Sequence, residues 1–205
     1  MNRQTKIFLN FLVILFVFVY IINIPESYGK EENGLRTEEE IIVMVLNHLW
    51  SGSKYTVVSP ETTFCRLNIS DKKEMEQERA YLLKKFEGQK QDIKNLIDRF
   101  FTLNRTPIQL SIQSNTEKGY FVDYTGEYEG YFKENGGGWN KWYREHPNAD
   151  GSTEVSRPVY DDKTGVIIIY VGTQTHWLSG VGNVIVFQLE NNSLKEIARV
   201  MVWIS

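Results

Sequence analysis

The C-terminal quarter of the chain alternates between apolar runs and turn-forming residues. Three runs, Val166–Gly172, Asn183–Leu189 and Ile197–Ile204, are rich in β-branched and aromatic residues. Runs of this length and composition predict strands, and the polar or glycine-containing segments between them predict chain reversals. Together with a further strand over Thr153–Tyr160, the pattern predicts an antiparallel meander of four strands.

The N-terminal half has a helical pattern instead. Thr37 followed by Glu40 matches a capping box, and the pair precedes an apolar helix over Ile41–Trp50. Helices are also predicted over four further segments: 71–86, 93–101, 127–133 and 139–145. Short strands are predicted over residues 54–58, 62–67, 108–113 and 120–124.

This order of elements predicts an α+β fold. We expect the N-terminal helices to pack on one face of a curved antiparallel sheet that ends in the C-terminal meander. The nearest layouts, by analogy only, are the cystatin-like and NTF2-like folds. Trp139, Trp142 and Trp203 are predicted to be structural, because aromatic residues near a chain break or a strand end most often fill a core.

Residues 1–29 have the pattern of a targeting segment, and residues 30–205 are predicted to form a single exported domain. A basic start precedes an apolar run over residues 7–24, and the small residues Ser27 and Gly29 suit a cleavage site. The run is long for a signal peptide and barely long enough to span a bilayer. A cleaved signal peptide and an uncleaved membrane anchor therefore both stay open. Either one places the domain in the periplasm, at the cell surface or in the medium.

Composition and charge narrow the class of function. The net charge is −3, and no segment concentrates Lys and Arg, which argues against a nucleic-acid partner. Cys65 is the only cysteine, so an intramolecular disulfide and a cysteine zinc site are excluded, and an inert buried thiol is expected. His48, His146 and His176 have no short metal-ligand spacing. Neither a metal nor a cofactor is predicted.

The C-terminal region also carries a series of short motifs. They are Gly138-Trp139-Asn140-Lys141-Trp142-Tyr143, Pro147, Gly151, Ser156-Arg157, Tyr170-Val171-Gly172, Gln174, Gly180-Val181-Gly182 and Val202-Trp203-Ile204-Ser205. In these motifs the chain, over roughly residues 96–205, resembles a family of exported bacterial proteins with no established function. The family pattern includes two cysteines around a glycine-rich loop, where this chain has Thr175 and Ser179. The resemblance implies a bacterial exported domain without that loop disulfide, and it supplies no activity.

The segment over residues 172–182 is the candidate ligand or partner site. It combines Gln174, His176, Trp177 and Ser179 with three glycines, and loops on rigid sheets often carry binding residues. A tryptophan on an exposed loop favours an interface. Two other interpretations stay open: a wide hairpin whose glycines serve only its shape, and a Trp177 that folds back as a lid over the core.

Arg157 is a further candidate. Its planar guanidinium suits a carboxylate or phosphate ligand. The alternative, which we favour, is a structural ion pair with an acidic residue across the sheet.

Two classes of function follow. The favoured one is a noncatalytic exported module that binds an unknown small molecule, an envelope component or another protein, because no catalytic constellation is visible. Membrane contact is expected only through residues 7–24, if they are uncleaved. The alternative is a small exported hydrolase that uses His176 with Ser179 or a carboxylate, which requires base and nucleophile to lie within hydrogen-bond reach.

Overall fold

A computed structural model of the chain describes residues 36–50, 52–64, 71–88, 93–133 and 136–205. These residues belong to one compact unit, Arg36–Ser205. The predictions for the targeting segment and for Cys65 therefore lie outside the described residues. In the part of the chain that is described, no helix is both long and apolar enough to cross a membrane.

The described residues form five α-helices, one 3-10 helix and seven strands. The helices are α1 (Glu38–Leu49), α2 (Lys72–Lys85), α3 (Lys94–Leu103), the 3-10 turn Thr116–Lys118, α4 (Glu127–Gly130) and α5 (Gly138–Glu145). The strands are β1 (Tyr55–Val58), β2 (Tyr120–Val122), β3 (Ala149–Val155), β4 (Val159–Asp161), β5 (Val166–His176), β6 (Ser179–Glu190) and β7 (Ser193–Ile204).

The predicted capping box begins α1. The Thr37 hydroxyl accepts a hydrogen bond from the Glu40 backbone N–H at 3.1 Å, and the Glu40 carboxylate accepts from the Thr37 N–H at 2.8 Å. Two donors that a helix start leaves unpaired are thus satisfied within four residues. Because this motif is local, it could be predicted from the sequence alone.

The strands form one mixed sheet in the order β2-β1-β3-β5-β6-β7, and β4 pairs with β5 beside β3. Strands β5, β6 and β7 are consecutive antiparallel neighbours, so the α+β fold with its C-terminal meander is confirmed. The sheet is not wholly antiparallel, however, because β1 runs parallel to both β2 and β3. Long connections precede β2 and β3, and parallel pairs need such crossovers.

Helices cover both faces of the sheet, so the prediction of a single covered face is wrong. Side chains alternate along β5. Ile168 and Tyr170 pack with α2 and α3, whereas Ile167 and Ile169 pack with α1. The order of helices along the chain does not reveal which face each one covers.

Three predicted strands differ in the structure. Of the strand predicted over residues 62–67, residues 62–64 are irregular and the rest lie outside the described residues. The strand over Thr153–Tyr160 is divided into β3 and β4, and the Ser156 hydroxyl accepts from the Tyr170 N–H at 2.9 Å in the gap between them. The segment Ile108–Gln113 is irregular, with one isolated bridge at Gln109. Its alternating pattern arises because Leu110 and Ile112 pack into the α1 side of the core.

The predicted wide loop over residues 172–182 is instead a tight hairpin. Strand β5 runs to His176 and β6 begins at Ser179, so only Trp177 and Leu178 form the turn. The glycine at position 182 leaves room for a neighbouring side chain, because a Cβ at Gly182 would collide with the indole of Trp203. That indole N–H donates to the Tyr170 hydroxyl at 2.8 Å. The half-buried Trp203 therefore has the structural role that was predicted.

Candidate functional site

Trp177 lies on the tip of the β5–β6 hairpin with 57% of its surface exposed, and the neighbouring Leu178 is 85% exposed. One edge of the Trp177 ring contacts Phe132 and Trp139, at centroid distances of 5.7 and 6.5 Å. The ring therefore rests on other aromatic side chains without closing the core. This geometry argues against the lid interpretation.

His176 and Ser179 are paired across the hairpin, but their side chains contact different neighbours. The His176 ring stacks on Trp139 at a centroid distance of 6.2 Å. The Ser179 hydroxyl pairs with that of Thr175 at 3.0 Å. Among the described residues, no hydrogen bond joins His176 to Ser179 or to a carboxylate, so the contact that the hydrolase alternative requires is absent there.

Gln174 belongs to the same hairpin, and its side-chain amide donates to the His176 carbonyl at 3.3 Å. It also lines a cavity of about 440 Å³, together with three carboxylates and a series of hydroxyl groups. One of these carboxylates, that of Asp123, already accepts hydrogen bonds from the N–H groups of Glu127 and Tyr128, at 3.0 and 2.8 Å. Asp123 therefore holds the start of α4.

Arg157 does not join these four residues. It follows β3, and its guanidinium forms a bidentate pair with Glu38 on α1, at 2.9 and 2.8 Å. The same group also donates to the carbonyls of Leu103 and Thr106. This is a structural ion pair of the kind that we favoured, although the acidic partner lies on a helix and not across the sheet.

Sequence reasoning missed a cluster of aromatic side chains around α4 and α5, which we call the aromatic cluster. Its rings are Tyr55, Phe121, Tyr128, Tyr131, Phe132, Trp139, Trp142 and Tyr143, packed with Val57 and Ala149. Trp139 and Trp142 are buried, as their predicted structural role requires. Edge-to-face contacts join Tyr128 and Tyr131 to Trp142, each at 5.1 Å between centroids.

A second cavity of about 420 Å³ opens beside this cluster, and we call it the aromatic cavity. Its lining residues are Ser53, Tyr55, Thr116, Glu117, Phe121, Glu127, Tyr128, Trp142, His146 and Asn148. Four aromatic residues, two carboxylates, one imidazole and small polar groups thus surround it, without a Lys or Arg among the lining residues. Tyr128 also lines the cavity that contains Gln174.

His146 forms the polar edge of the aromatic cavity. Its ring stacks on Trp142 with 3.9 Å between centroids. Nε2 lies 3.2 Å from the Tyr131 hydroxyl and 3.4 Å from a Glu127 carboxylate oxygen, and Nδ1 lies 3.5 Å from the Tyr55 hydroxyl.

These contacts define the tautomer of His146. The Tyr131 hydroxyl donates its single proton to Glu145 at 2.7 Å, so it can only accept from the imidazole. Nε2 therefore carries a proton, and in the neutral ring Nδ1 accepts from Tyr55. In this state the Glu127 carboxylate faces an N–H donor.

The phenol groups of the cavity stay neutral near pH 7. Burial, and then the Glu127 charge, raise the pKa of Tyr55. Burial raises the pKa of Tyr128 to about 12, against the opposing effect of a hydrogen bond with Ser152. The negative charge of the lining therefore comes from Glu117 and Glu127.

The sequence offered weak signals for this site. His146 stands between Pro147 and the end of the helix predicted over residues 139–145, and its only further sequence signal was a lack of metal-ligand spacing. Tyr55, Phe121 and Trp142 lie on three separate segments, which the parallel pairing of β1 with β2 and the packing of α5 bring together. Only the aromatic richness between residues 120 and 143 hinted at a cluster.

No protein-family model, curated protein or solved structure matches the chain. Within the described residues, no group of three or more His, Cys, Asp or Glu side chains is arranged to hold a metal ion.

Proposed function

We propose that residues 30–205 form an exported, noncatalytic binding module whose ligand occupies the aromatic cavity. The observation that carries this proposal is the cavity itself. Its volume of about 420 Å³ lies within the usual range of small-molecule sites. Aromatic walls with a few convergent polar groups are also typical of such sites, because the walls supply affinity and the polar groups fix orientation.

The contacts of His146 and His176 favour binding over catalysis. Across the described part of the chain, neither imidazole hydrogen-bonds to a Ser or Thr hydroxyl, and a nucleophile must reach its base in this way. His146 is held instead by stacking on Trp142 and by two tyrosine hydroxyls. A hydrolase that uses His176 with Ser179 stays the alternative, without an observation in its favour.

The exported location rests on the targeting pattern of residues 1–29. It implies a ligand from the envelope or the surroundings of the cell. Intact-mass measurement of the protein from its own cells tests this part of the proposal: loss of residues 1–29 indicates cleavage after Gly29, and the full mass in a membrane fraction indicates an anchor. A full-mass protein in the cytoplasmic fraction would contradict export.

The hairpin tip offers a second surface for a protein or envelope component. Its support is the exposed ring of Trp177, since tryptophan often supplies much of the energy of an interface. We rank this surface below the cavity because only two exposed side chains form it, at the tip of a hairpin.

Recovery of a bound molecule tests the cavity. Full-length protein is captured from an envelope extract of its own cells, and small molecules released by denaturation are identified by mass spectrometry. Ser53→Trp places a large ring at the exposed edge of the cavity, and Ser193→Trp places the same ring at an exposed position on β7 as a matched control.

We expect the same molecule from the wild type and from Ser193→Trp, and a strong reduction from Ser53→Trp. Thermal melts of both variants control for folding. Equal recovery from Ser53→Trp, or no bound molecule from the wild type, would contradict the assignment of the ligand to this cavity.

A further inference from the structure

We infer that the aromatic cavity selects an organic cation of the ammonium type. This inference rests on the proposed function and deepens it, because it names the class of ligand. Its basis is the combination of aromatic walls with carboxylates, in a lining without a basic side chain.

The charges of the lining disfavour an anion. Its ionisable groups other than the tyrosines are Glu117, Glu127 and His146. Lys54 lies next in sequence to two lining residues, but its ammonium pairs with Asp150 at 3.9 Å. A ligand in the cavity meets two carboxylates, while the lining has no Lys or Arg and its one imidazole already faces Glu127. An anion would therefore lose solvation without gaining a Lys or Arg partner, and it would lie near two carboxylates.

The aromatic walls suit a cation as well as an apolar group. Tyr55, Phe121 and Tyr128 are partly exposed where they line the cavity. A cation over the face of such a ring is attracted by the negative charge of its π-system, and quaternary ammonium groups are recognised in this way. A neutral ligand of the same shape lacks this attraction.

The aromatic cluster already contains an ammonium group over a ring. Lys141 Nζ lies 5.4 Å from the centroid of the Tyr131 ring. Tyr131 also contacts His146, which lines the cavity. The chemistry that we infer for the ligand therefore exists within the same group of side chains.

Glu127 is the residue that we expect to determine the selectivity. It lies at the first position of α4, half of its side chain is exposed, and one carboxylate oxygen lies 3.4 Å from His146 Nε2. Because Glu127 lines the cavity and half of its side chain is exposed, its carboxylate is accessible to a cation there. Glu129 is a matched control, because it is an exposed carboxylate of the same short helix and lines the other cavity.

Choline and 3,3-dimethyl-1-butanol provide the test. The two molecules have the same shape, and only choline carries a charge. Isotope-labelled full-length protein in a nonionic detergent is titrated with each, and the backbone signals of Tyr55, Phe121 and His146 report binding by NMR. We expect choline to bind at least about fivefold more tightly than the neutral molecule.

Two variants separate a local effect from the net charge of the protein. Glu127→Gln is expected to remove most of the preference for choline, whereas Glu129→Gln, with the same change of net charge, is expected to keep it. Phe121→Leu should weaken choline more than the neutral molecule. Thermal melts confirm that each variant is folded.

A third probe, Nα-acetyl-lysine methylamide, keeps the side-chain ammonium of lysine and identifies the source of the cation. Tighter binding of this probe than of choline indicates an ammonium on a protein side chain, and the reverse indicates a free quaternary amine.

Equal binding of choline and its neutral counterpart would overturn the inference, and so would an equal loss in Glu127→Gln and Glu129→Gln. In both cases the cavity still binds small molecules, so the proposed function stands. Absence of shifts with every probe overturns the inference too, and the recovery experiment with Ser53→Trp then decides the proposed function separately.

Discussion

The meander and the aromatic cluster share one sheet but are packed in different ways. In the meander, six consecutive residues of β5, Val166–Val171, are buried between helices on both faces. In the aromatic cluster, only Trp139 and Trp142 of eight rings are buried, and three of the others, Tyr55, Phe121 and Tyr128, line cavities. The comparison separates a closed scaffold, which supplies stability, from an open cluster, which supplies accessible surface.

The largest expected effect is on the scaffold. Phe187 is completely buried in β6, and its ring meets the edge of the His48 ring at 5.3 Å. Phe187→Ala should lower the free energy of unfolding by about 3–5 kcal/mol, because it removes buried surface and leaves a cavity. Denaturant unfolding of the full chain measures this loss.

Phe121→Ala is the matched change in the aromatic cluster. Phe121 is only partly buried, so about half of that loss is expected. If Phe121→Ala costs as much as Phe187→Ala, the cluster is as important to stability as the meander, and the separation between them fails.

The next effect concerns the ion pair between Arg157 and Glu38, which fastens α1 to the segment after β3. A double-mutant cycle with Arg157→Met and Glu38→Gln isolates their coupling. Because both side chains are partly exposed, at 18% and 31%, we expect a coupling of about 1 kcal/mol, near the low end for residues in direct contact.

This pair belongs to the scaffold, so binding at the aromatic cavity should be unchanged in both single variants. A coupling energy near zero would show that the ion pair adds no net stability, because water solvates the separated charges equally well. A loss of choline binding in Arg157→Met would instead connect the ion pair to the cavity.

The comparison also explains what the sequence could and could not predict. The cap of α1 and the meander depend on residues close together in the chain: Thr37 with Glu40, and strands joined by short turns. Such contacts leave a local pattern. The full length of β5 was not predicted, because its last residues are polar and do not continue the apolar run. They are polar because that end of the strand is partly exposed.

The candidate cavity depends on contacts that leave no local pattern. Tyr55 and Phe121 lie on parallel strands, and His146 lies beyond the end of α5. Their proximity follows from how β1, β2 and α5 assemble, which no short window of sequence contains. The glycines of the hairpin were likewise predicted to shape a loop, whereas Gly182 makes room for Trp203.

A smaller effect on stability is expected from the charge of a single carboxyl group in the scaffold, that of Glu78. Burial, and then the charge of Glu74, raise the pKa of the Glu78 carboxyl on α2. One of its oxygens is buried without a hydrogen-bond partner among the described residues. Between the ordinary pKa of 4.5 and the raised value, the folded state binds more protons than the unfolded state. Stability from this group is therefore lost as the pH rises through that window.

Glu78→Gln removes the buried charge, so it should melt at a higher temperature than the wild type at pH 7. The difference should shrink as the pH falls toward 4.5 and vanish below it, because Glu78 is then protonated in both states. Paired melts at the two pH values measure it. A difference that is independent of pH would assign the effect to packing and not to ionisation.

The smallest expected effect lies where the meander meets the aromatic cluster. Trp177 belongs to the hairpin of the meander, but its ring touches Phe132 and Trp139 of the cluster. Because more than half of the ring is exposed, Trp177→Ala should cost only about 0.5–1 kcal/mol, the value of an aromatic contact. Leu178→Ala is the control, since that side chain is more exposed and should change stability by less than about 0.5 kcal/mol.

Thermal melts and the NMR signals of Phe132 and Trp139 measure both changes at once. We expect these signals to shift in Trp177→Ala and to stay in place in Leu178→Ala, with the rest of the meander unaffected. If Trp177→Ala instead approaches the cost of Phe187→Ala, Trp177 closes the core, and the cluster and the meander form one cooperative unit. A stable, folded Trp177→Ala keeps the hairpin tip available as a surface for a partner, because its exposed ring is then not required for folding.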